Sequence, residues 1–456
     1  MATPTITRSD GTGDAGGPTT TTAGPTALAY RRGRWIDNWD PENHEQWTTV
    51  GRPTARRNLG FSMVAEFLGF AMLALWGIVT PQLPAAGFAY TADQLFWLIA
   101  LPGLTGALMR FVYSFTVPIF GGRNWTVVSA LLLIIPAGGL AWAVSDPETP
   151  FGLMLVIASL AGLGGGNFTS SMVNISFFYP EREKGKALGL NAAGGNLGTA
   201  WVQFTVPLVI VAAAGVALER AGLIFIPLCV IAAILAWRYM DNLSCAKSDV
   251  KSYILATRNP HTWIISFLYI GTFGSFIGFA NTFPTLMRIQ YPEVTANIVF
   301  LGALIGALVR PIGGMLSDKV GGARVTIAAF TLMAMGVIGL LATFDVHSLP
   351  LFLGLFLLLF AAAGIGNGST YRMIPAVFQM GVTDEGGALR GRRAAAGCIG
   401  LAGAIGSLGA FFVPRIFAMA GIEGGFAVFI GMYVVMGALV WAVYQRRGSA
   451  LRAAAI

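Results

Sequence analysis

Apolar runs long enough to cross a lipid bilayer recur through this chain, and no other property restricts its fold so tightly. About twenty apolar residues in a helix span the ~30 Å of a hydrocarbon core. Twelve such runs are read, at about 60–80, 93–120, 125–145, 151–178, 187–213, 221–240, 262–287, 296–317, 324–343, 350–373, 394–418 and 424–445. They predict an all-α polytopic membrane protein with twelve transmembrane helices. Of 456 residues, 55% are hydrophobic and only 11% are charged. That balance excludes a large soluble α/β enzyme, which needs polar loops and amphipathic faces between its buried elements.

The charges that remain are placed unevenly. Of 29 Lys and Arg, 23 lie in the amino-terminal tail, the even-numbered connections and the carboxyl tail. Arg110, Arg310 and Arg372 fall inside spans, and Arg220, Arg288 and Arg415 fall at the opposite face. Cytoplasmic segments carry the excess of positive charge, so both termini are expected in the cytoplasm. The net charge of +8 then reads as topogenic, and no nucleic-acid partner is expected. Residues 1–58 form a cytoplasmic tail, whose first 30 or so are Thr/Gly/Pro-rich and expected to be disordered. No cleavable signal peptide is evident.

The longest polar connection, residues 241–260, separates a first six-helix bundle, 59–240, from a second, 261–447, with a short cytoplasmic tail at 448–456. Cys229, Cys245 and Cys398 show neither disulfide nor metal spacing, and His44, His261 and His347 all lie outside clear spans. No metal, cofactor or enzymatic centre is expected.

Two of the intramembrane charges are matched. Arg110 and Arg310 lie 200 positions apart, each preceded by the same residues, Gly106-Ala107-Leu108 and Gly306-Ala307-Leu308. A cation near mid-bilayer costs at least ~2.5–3.5 kcal/mol, which makes each a functional-site candidate. In the same register Ala161, Gly164, Gly166 and Asn167 match Ala361, Gly364, Gly366 and Asn367. Spans two and four therefore correspond to eight and ten, as in parallel halves related by an axis along the membrane normal. The paired arginines predict one anion site between the halves.

The turn after span eight, from Gly313 and Gly314 through Asp318, Lys319 and Gly321 to Arg324, resembles the G-x-x-x-D-(R/K)-x-G-x-(R/K) loop of the major facilitator superfamily. Asp318 can cap a helix or pair with basic groups across a cytoplasmic gate. The first half retains only Gly121-Gly122-Arg123 at this place. Glycines crowd spans four, five, ten and eleven, where close helix packing is their ordinary role. Asn167, Asn196, Gln203 and Asn367 lie among them. Buried amides require partners, either an oxyanion or a neighbouring carbonyl.

Several longer strings make the resemblance more specific. IDNWDPENHEQW and GRPTARRNL precede span one, FGGRNW follows span two, and GGGNFTSSMVNISFFYP lies in span four. GLNAAGGNLG in span five, LYIGTFGSFIGF in span seven and GNGSTYRMIP in span ten complete a set that covers the chain from residue 36. Together they resemble the nitrate/nitrite porters of the major facilitator superfamily. The resemblance implies two six-helix halves alternating access around a central nitrate or nitrite site, in a multi-pass inner-membrane protein that works as a monomer. It also implies that Arg110 and Arg310 bind the anion, that Tyr269 assists, and that Phe168, Phe273 and Tyr371 line or close the pathway. The family's signature helices correspond to the stretches holding Asn196 and Gly406.

Nitrate is flat and singly charged, so guanidinium forks can share its oxygens. Two buried arginines also disfavour an empty carrier. No clear Asp, Glu or His is read near mid-bilayer, and Glu66 is placed near the cytoplasmic entrance of span one. The balance favours nitrate/nitrite exchange, with nitrate:proton symport as the alternative and a non-transporting anion receptor as a remote one. Arg372, matched by Met172 in the first half, is given a gating or structural role, by snorkelling or by approaching the cavity.

Overall fold

The computed structural model describes residues 27–212, 215–246, 250–294, 296–380 and 384–446. The disorder expected of the tail up to residue 26, and the tail at 448–456, lie outside the described residues. Ten helical stretches are long and apolar enough to cross a membrane. One of them, Gly386–Gln445, holds two spans, because Gly421 leaves the helical conformation with φ 72°. Glu181–Val209, rich in Gly and Asn, supplies the remaining span. Twelve helices result, and the break between the last two falls where the sequence places it.

Span one is Arg52–Val79. Span two is Ala92–Tyr113 with Thr116–Phe120, and span three is Gly122–Leu132 with Ile134–Ala143. Span four is Phe151–Leu160 with Leu163–Phe178, span five Glu181–Val209, and span six Glu219–Leu223 with Phe225–Tyr239. Span seven joins Pro260–Tyr269 to Ser275–Gln290 through a π-helical turn, Ile270–Gly274. Spans eight, nine and ten are Phe300–Val320, Gly322–Val346 and Leu349–Gln379. Span eleven begins at Glu385, and span twelve ends in the π-helical turn Trp441–Gln445. Several helices outrun their apolar stretches. Span one starts eight residues before the expected 60 and span eleven nine before 394, since a helix continues past the point where hydropathy falls.

The repeat is visible in which way each side chain points. Ala107 and Arg110 are buried while Leu108 is 57% exposed; Ala307 and Arg310 are buried while Leu308 is 58% exposed. Each GAL motif thus turns its leucine outward and its arginine inward. Spans two and four meet at Gly106 and Gly165, where an added Cβ on Gly165 would come within 2.6 Å of Gly106 Cα. Spans eight and ten meet likewise at Gly306 and Gly364, with 2.3 Å to the Gly306 carbonyl oxygen. Without water to drive helices together, such backbone approach supplies the packing.

At the face bearing the Asp318 turn, the tail folds onto the first half. Tyr30–Arg31 pairs with Trp35–Ile36, which pairs with Asn242–Leu243 beyond span six. Asp241, fully buried, accepts from Arg34 Nη2 at 2.7 Å, Arg57 Nη2 at 2.5 Å and Asn58 Nδ2 at 2.9 Å. Trp39 donates its indole N–H to the Phe177 carbonyl, and Trp47 donates to Glu183. A helix, Val250–Thr257, lies within the connection to span seven. At the opposite face the halves are joined by Arg415 Nη1 to Asp93 Oδ1 at 2.9 Å and Arg288 Nη1 to Gln82 Oε1 at 2.7 Å.

Candidate functional site

Arg110 projects from span two into the centre of the molecule, 1% exposed. Its guanidinium carbon lies 4.5 Å from the ring centroid of Phe168, 5.0 Å from Phe273 and 5.7 Å from Phe70. Nη1 donates to the Gly403 carbonyl at 3.2 Å across the two halves. Nε and Nη2 are buried without a hydrogen-bond partner among the described residues. Arg310, 7% exposed, enters from span eight; Nη2 donates to the Tyr269 hydroxyl at 3.3 Å and Nη1 has no such partner. Its carbon is 5.8 Å from Phe273 and 5.7 Å from Tyr371.

Phe273 therefore touches both guanidiniums within cation–π range. The two repeat-related arginines, the span-seven tyrosine and the aromatics Phe168, Phe273 and Tyr371 are gathered into one cluster. Phe168 stacks on Phe273 at 6.2 Å, Phe273 on Tyr269 at 5.1 Å, and Tyr269 lies 5.0 Å from Tyr371. The π turn begins directly after Tyr269 and contains Phe273, and such turns inside helices often mark functional sites.

The amides divide by what they bind. Tyr269 donates to Asn367 Oδ1 at 2.6 Å, so Asn367 fixes the hydroxyl that Arg310 reaches. Asn167, its repeat partner, donates instead to the Ala65 carbonyl at 3.1 Å, tying span four to span one. Gln203 donates to the Ala280 carbonyl at 2.7 Å across the halves. Asn196 is buried, and neither amide atom has a hydrogen-bond partner among the described residues. Tyr371 donates its hydroxyl to the Ile399 carbonyl at 3.2 Å.

Arg372 lies about two turns before the end of span ten, exposed, where it pairs with Asp318. Both partners belong to the second half, so Asp318 engages a base within its own half rather than across a gate. The loop's Gly321 turns at φ 95° and its first-half counterpart Gly121 at φ 87°, a conformation that side chains resist. Gly314 has open space beside it, and Arg324 donates to the Val320 carbonyl.

Three participants escape the sequence reading. Phe70 and Gly403 are two. The third is Glu66, read as lying near an entrance but fully buried in span one. Its helix starts at Arg52, so Glu66 lies roughly 21 Å along it at ~1.5 Å per residue. Its carboxylate is within electrostatic reach of both Arg110 and Arg310. The i, i+4 spacing of Glu66 and Phe70 was the available signal, because it puts both on one helical face.

Residues 63–414 match the Major Facilitator Superfamily. The chain is 41% identical over 445 residues to "Nitrate/nitrite transporter NarU" of Escherichia coli (strain K12), covering 90% of this chain and 96% of that protein. It is 34% identical to "Probable nitrate/nitrite antiporter NarK2" of Thermus thermophilus, covering 92% and 99%. Among solved structures, a D-xylose-proton symporter superposes with a TM-score of 0.64 at 15% identity, covering 84% of this chain and 96% of that one, a likeness of fold alone. With these matches over nearly its whole length and its two arginines brought to one aromatic cluster, the chain belongs to the nitrate/nitrite porter family of the major facilitator superfamily.

Proposed function

We propose that this protein moves nitrate and nitrite across the bacterial cytoplasmic membrane by alternating access, exchanging one anion for the other. The observation that carries this reading is the sharing of Phe273 by Arg110 and Arg310. The guanidinium carbons can be no more than about 11 Å apart, since they lie 5.0 and 5.8 Å from one ring centroid. Three unpartnered N–H-bearing nitrogens, Arg110 Nε and Nη2 and Arg310 Nη1, are buried around it. A small oxyanion satisfies such donors, and desolvated guanidiniums favour it strongly. Aromatic faces bracket a flat ion and exclude water, while Tyr269, held by Asn367, adds a hydroxyl beside Arg310. The names of two relatives support the substrate, and the Thermus thermophilus relative supports exchange.

Asn167, Asn196 and Asn367 complete the proposed binding site or its immediate support, and Phe168, Phe273, Tyr371, Gln203 and Arg372 the pathway and gate. The excess of Lys and Arg at the tail face supports a cytoplasmic location for that face. The mobile units are residues 59–240 and 261–447, joined by 241–260, acting as a monomer. Arg415–Asp93 and Arg288–Gln82 then close the outer end. In proteoliposomes, internal nitrite should accelerate entry of labelled nitrate. Equal entry into vesicles loaded with and without nitrite would sink exchange, and binding without flux would leave an anion receptor.

A further inference from the structure

Span one brings a carboxylate to the interior that anion exchange by two arginines does not require. Glu66 is fully buried. Its Oε2 accepts from Asn191 Nδ2 at 2.6 Å, and the same amide donates to Ser171 Oγ at 2.7 Å, which in turn lies 2.9 Å from Ser62 Oγ. Its Oε1 has no hydrogen-bond partner among the described residues. A Cβ on Gly195 would fall 2.3 Å from that oxygen, so the glycine leaves the room it occupies. One helical turn onward, Phe70 covers the Arg110 guanidinium. On span four, Ser171 and Phe168 are separated by three residues, and Phe168 lies against the same guanidinium. The carboxylate cluster is thus one turn from the aromatic layer of the anion site on two helices at once.

We infer that Glu66 is a proton site linked to the anion site, so that a monovalent anion binding between Arg110 and Arg310 is accompanied by uptake of a proton at Glu66. The inference rests on the proposed anion site. The groups facing Glu66 are few. Arg110 from span two and Arg310 from span eight are the charges acting on it; span four offers Ser171 and span five Asn191. The other charged residues on the packed spans, Asp93, Arg123, Glu181, Arg182, Glu183, Lys184, Lys186, Glu219, Arg220, Arg238 and Arg288, lie near helix ends.

Where no anion is bound and Glu66 is ionised, its charge supplies part of the counter-charge that two buried arginines need. An incoming anion takes over that role and sets two negative charges against the same pair. Glu66 then accepts a proton from solution on the unpartnered Oε1, giving the neutral acid. By reciprocity, protonating Glu66 strengthens anion binding. Exchange of two anions by this route moves no net proton, whereas net anion entry carries one.

The test uses full-length protein in detergent at low buffer strength. Adding nitrate to the wild type should remove up to one proton per site from solution, read with a pH dye. Nitrate affinity should weaken with rising pH, approaching tenfold per pH unit between the titration of Glu66 in the free protein and its higher titration in the nitrate-bound protein, and level off beyond both. Glu66→Gln should bind nitrate with no proton uptake and a flat pH profile. Nitrate binding to the wild type without proton uptake would overturn the linkage while sparing the anion site, whether or not the variant folds. Undiminished proton uptake in Glu66→Gln would also overturn it. Failure of the folded wild type to bind nitrate or nitrite at all would sink the anion-site reading and this inference with it.

Discussion

Arg110 and Arg310 begin from the same three residues and end in different company. Arg110 is walled by three phenylalanines and has two nitrogens without a hydrogen-bond partner among the described residues; Arg310 has one, leans on a tyrosine and borrows a second aromatic. The asparagines beside them diverge in the same way. Asn367 faces the site through Tyr269, and Asn167 clamps two helices. The duplicated register preserved where each side chain points, while the partners that decide its chemistry changed independently. The first half is the harder electrostatic surface, and the second is the one with hydroxyl chemistry.

The sharpest way to break that contrast is to keep each charge and remove its fork. Lysine cannot hold two donors in one plane, and each hydrogen bond to a charged group is worth ~1.5–3 kcal/mol. Arg110→Lys, with two donors at stake, should weaken nitrate binding on the order of 100-fold. Arg310→Lys, with one, should lose on the order of 10-fold at ~1.5 kcal/mol. Calorimetry on purified protein reads both. The reverse order would show that Arg310, not Arg110, carries the anion.

Tyr269→Phe refines the second half alone. It keeps the stack on Phe273 and deletes the hydroxyl that links Arg310 to Asn367. Binding should weaken by about 1–3 kcal/mol. Measuring nitrate and nitrite separately shows whether that hydroxyl discriminates between them, and no loss for either would leave Tyr269 a packing residue.

Where the halves do agree, in their glycine contacts, substitutions should agree as well. Gly165→Ala and Gly364→Ala each force a methyl into a neighbouring backbone. Overpacking costs ~1–3 kcal/mol, so both should lower the Tm in detergent by similar amounts. A large drop in one alone would mean that only that half is tightly built.

The smallest effect lies at the tail face. A hydrogen bond from Arg52 holds the Glu183 carboxyl below the ordinary carboxylate range, against the opposing effect of burial and with further help from Trp47. A depressed carboxyl stabilises above its unfolded titration, so this tie is complete at neutral pH and fades as acid protonates Glu183. Hydrogen exchange around Trp47 should rise slightly in that acid range and, in Glu183→Gln, be raised already at neutral pH. Identical exchange in both proteins would leave Glu183 without a role in holding the tail.

Much of this was readable from residues alone. Arg110 and Arg310 stand out because charge is rare in lipid, and the GAL register reports a repeat that the fold retains. The Gly321 turn announces itself because a loop of glycine and charge between apolar runs has few other uses. Glu66 was misplaced for a physical reason. Distance from the edge of its own span does not say which helices close over a residue, and Glu66 is buried by its neighbours, with Asn191 of span five bonded to its carboxylate. Phe70 and Gly403 were hidden differently. A phenylalanine in an apolar helix and a carbonyl on a glycine carry no signature until a distant cation is folded against them. Arg372 pairs with Asp318, a contact between spans ten and eight that the spacing of either helix does not announce.

One further property follows from the three donors gathered on Asp241. That residue closes span six, carries the tail's small sheet against itself and opens the chain's only covalent crossing between halves. The crossing is therefore pinned at its upstream end, where Ser244 donates its backbone N–H to the Ile36 carbonyl and Ala246 is buried against the tail. Part of its length is wound into Val250–Thr257, where each residue advances only ~1.5 Å against ~3.3–3.6 Å when extended. That helix is itself seated on span eleven, where an added Cβ on Gly397 would come within 2.2 Å of the Ser252 carbonyl oxygen, so the crossing is fastened to the first half at one end and to the second half at the other.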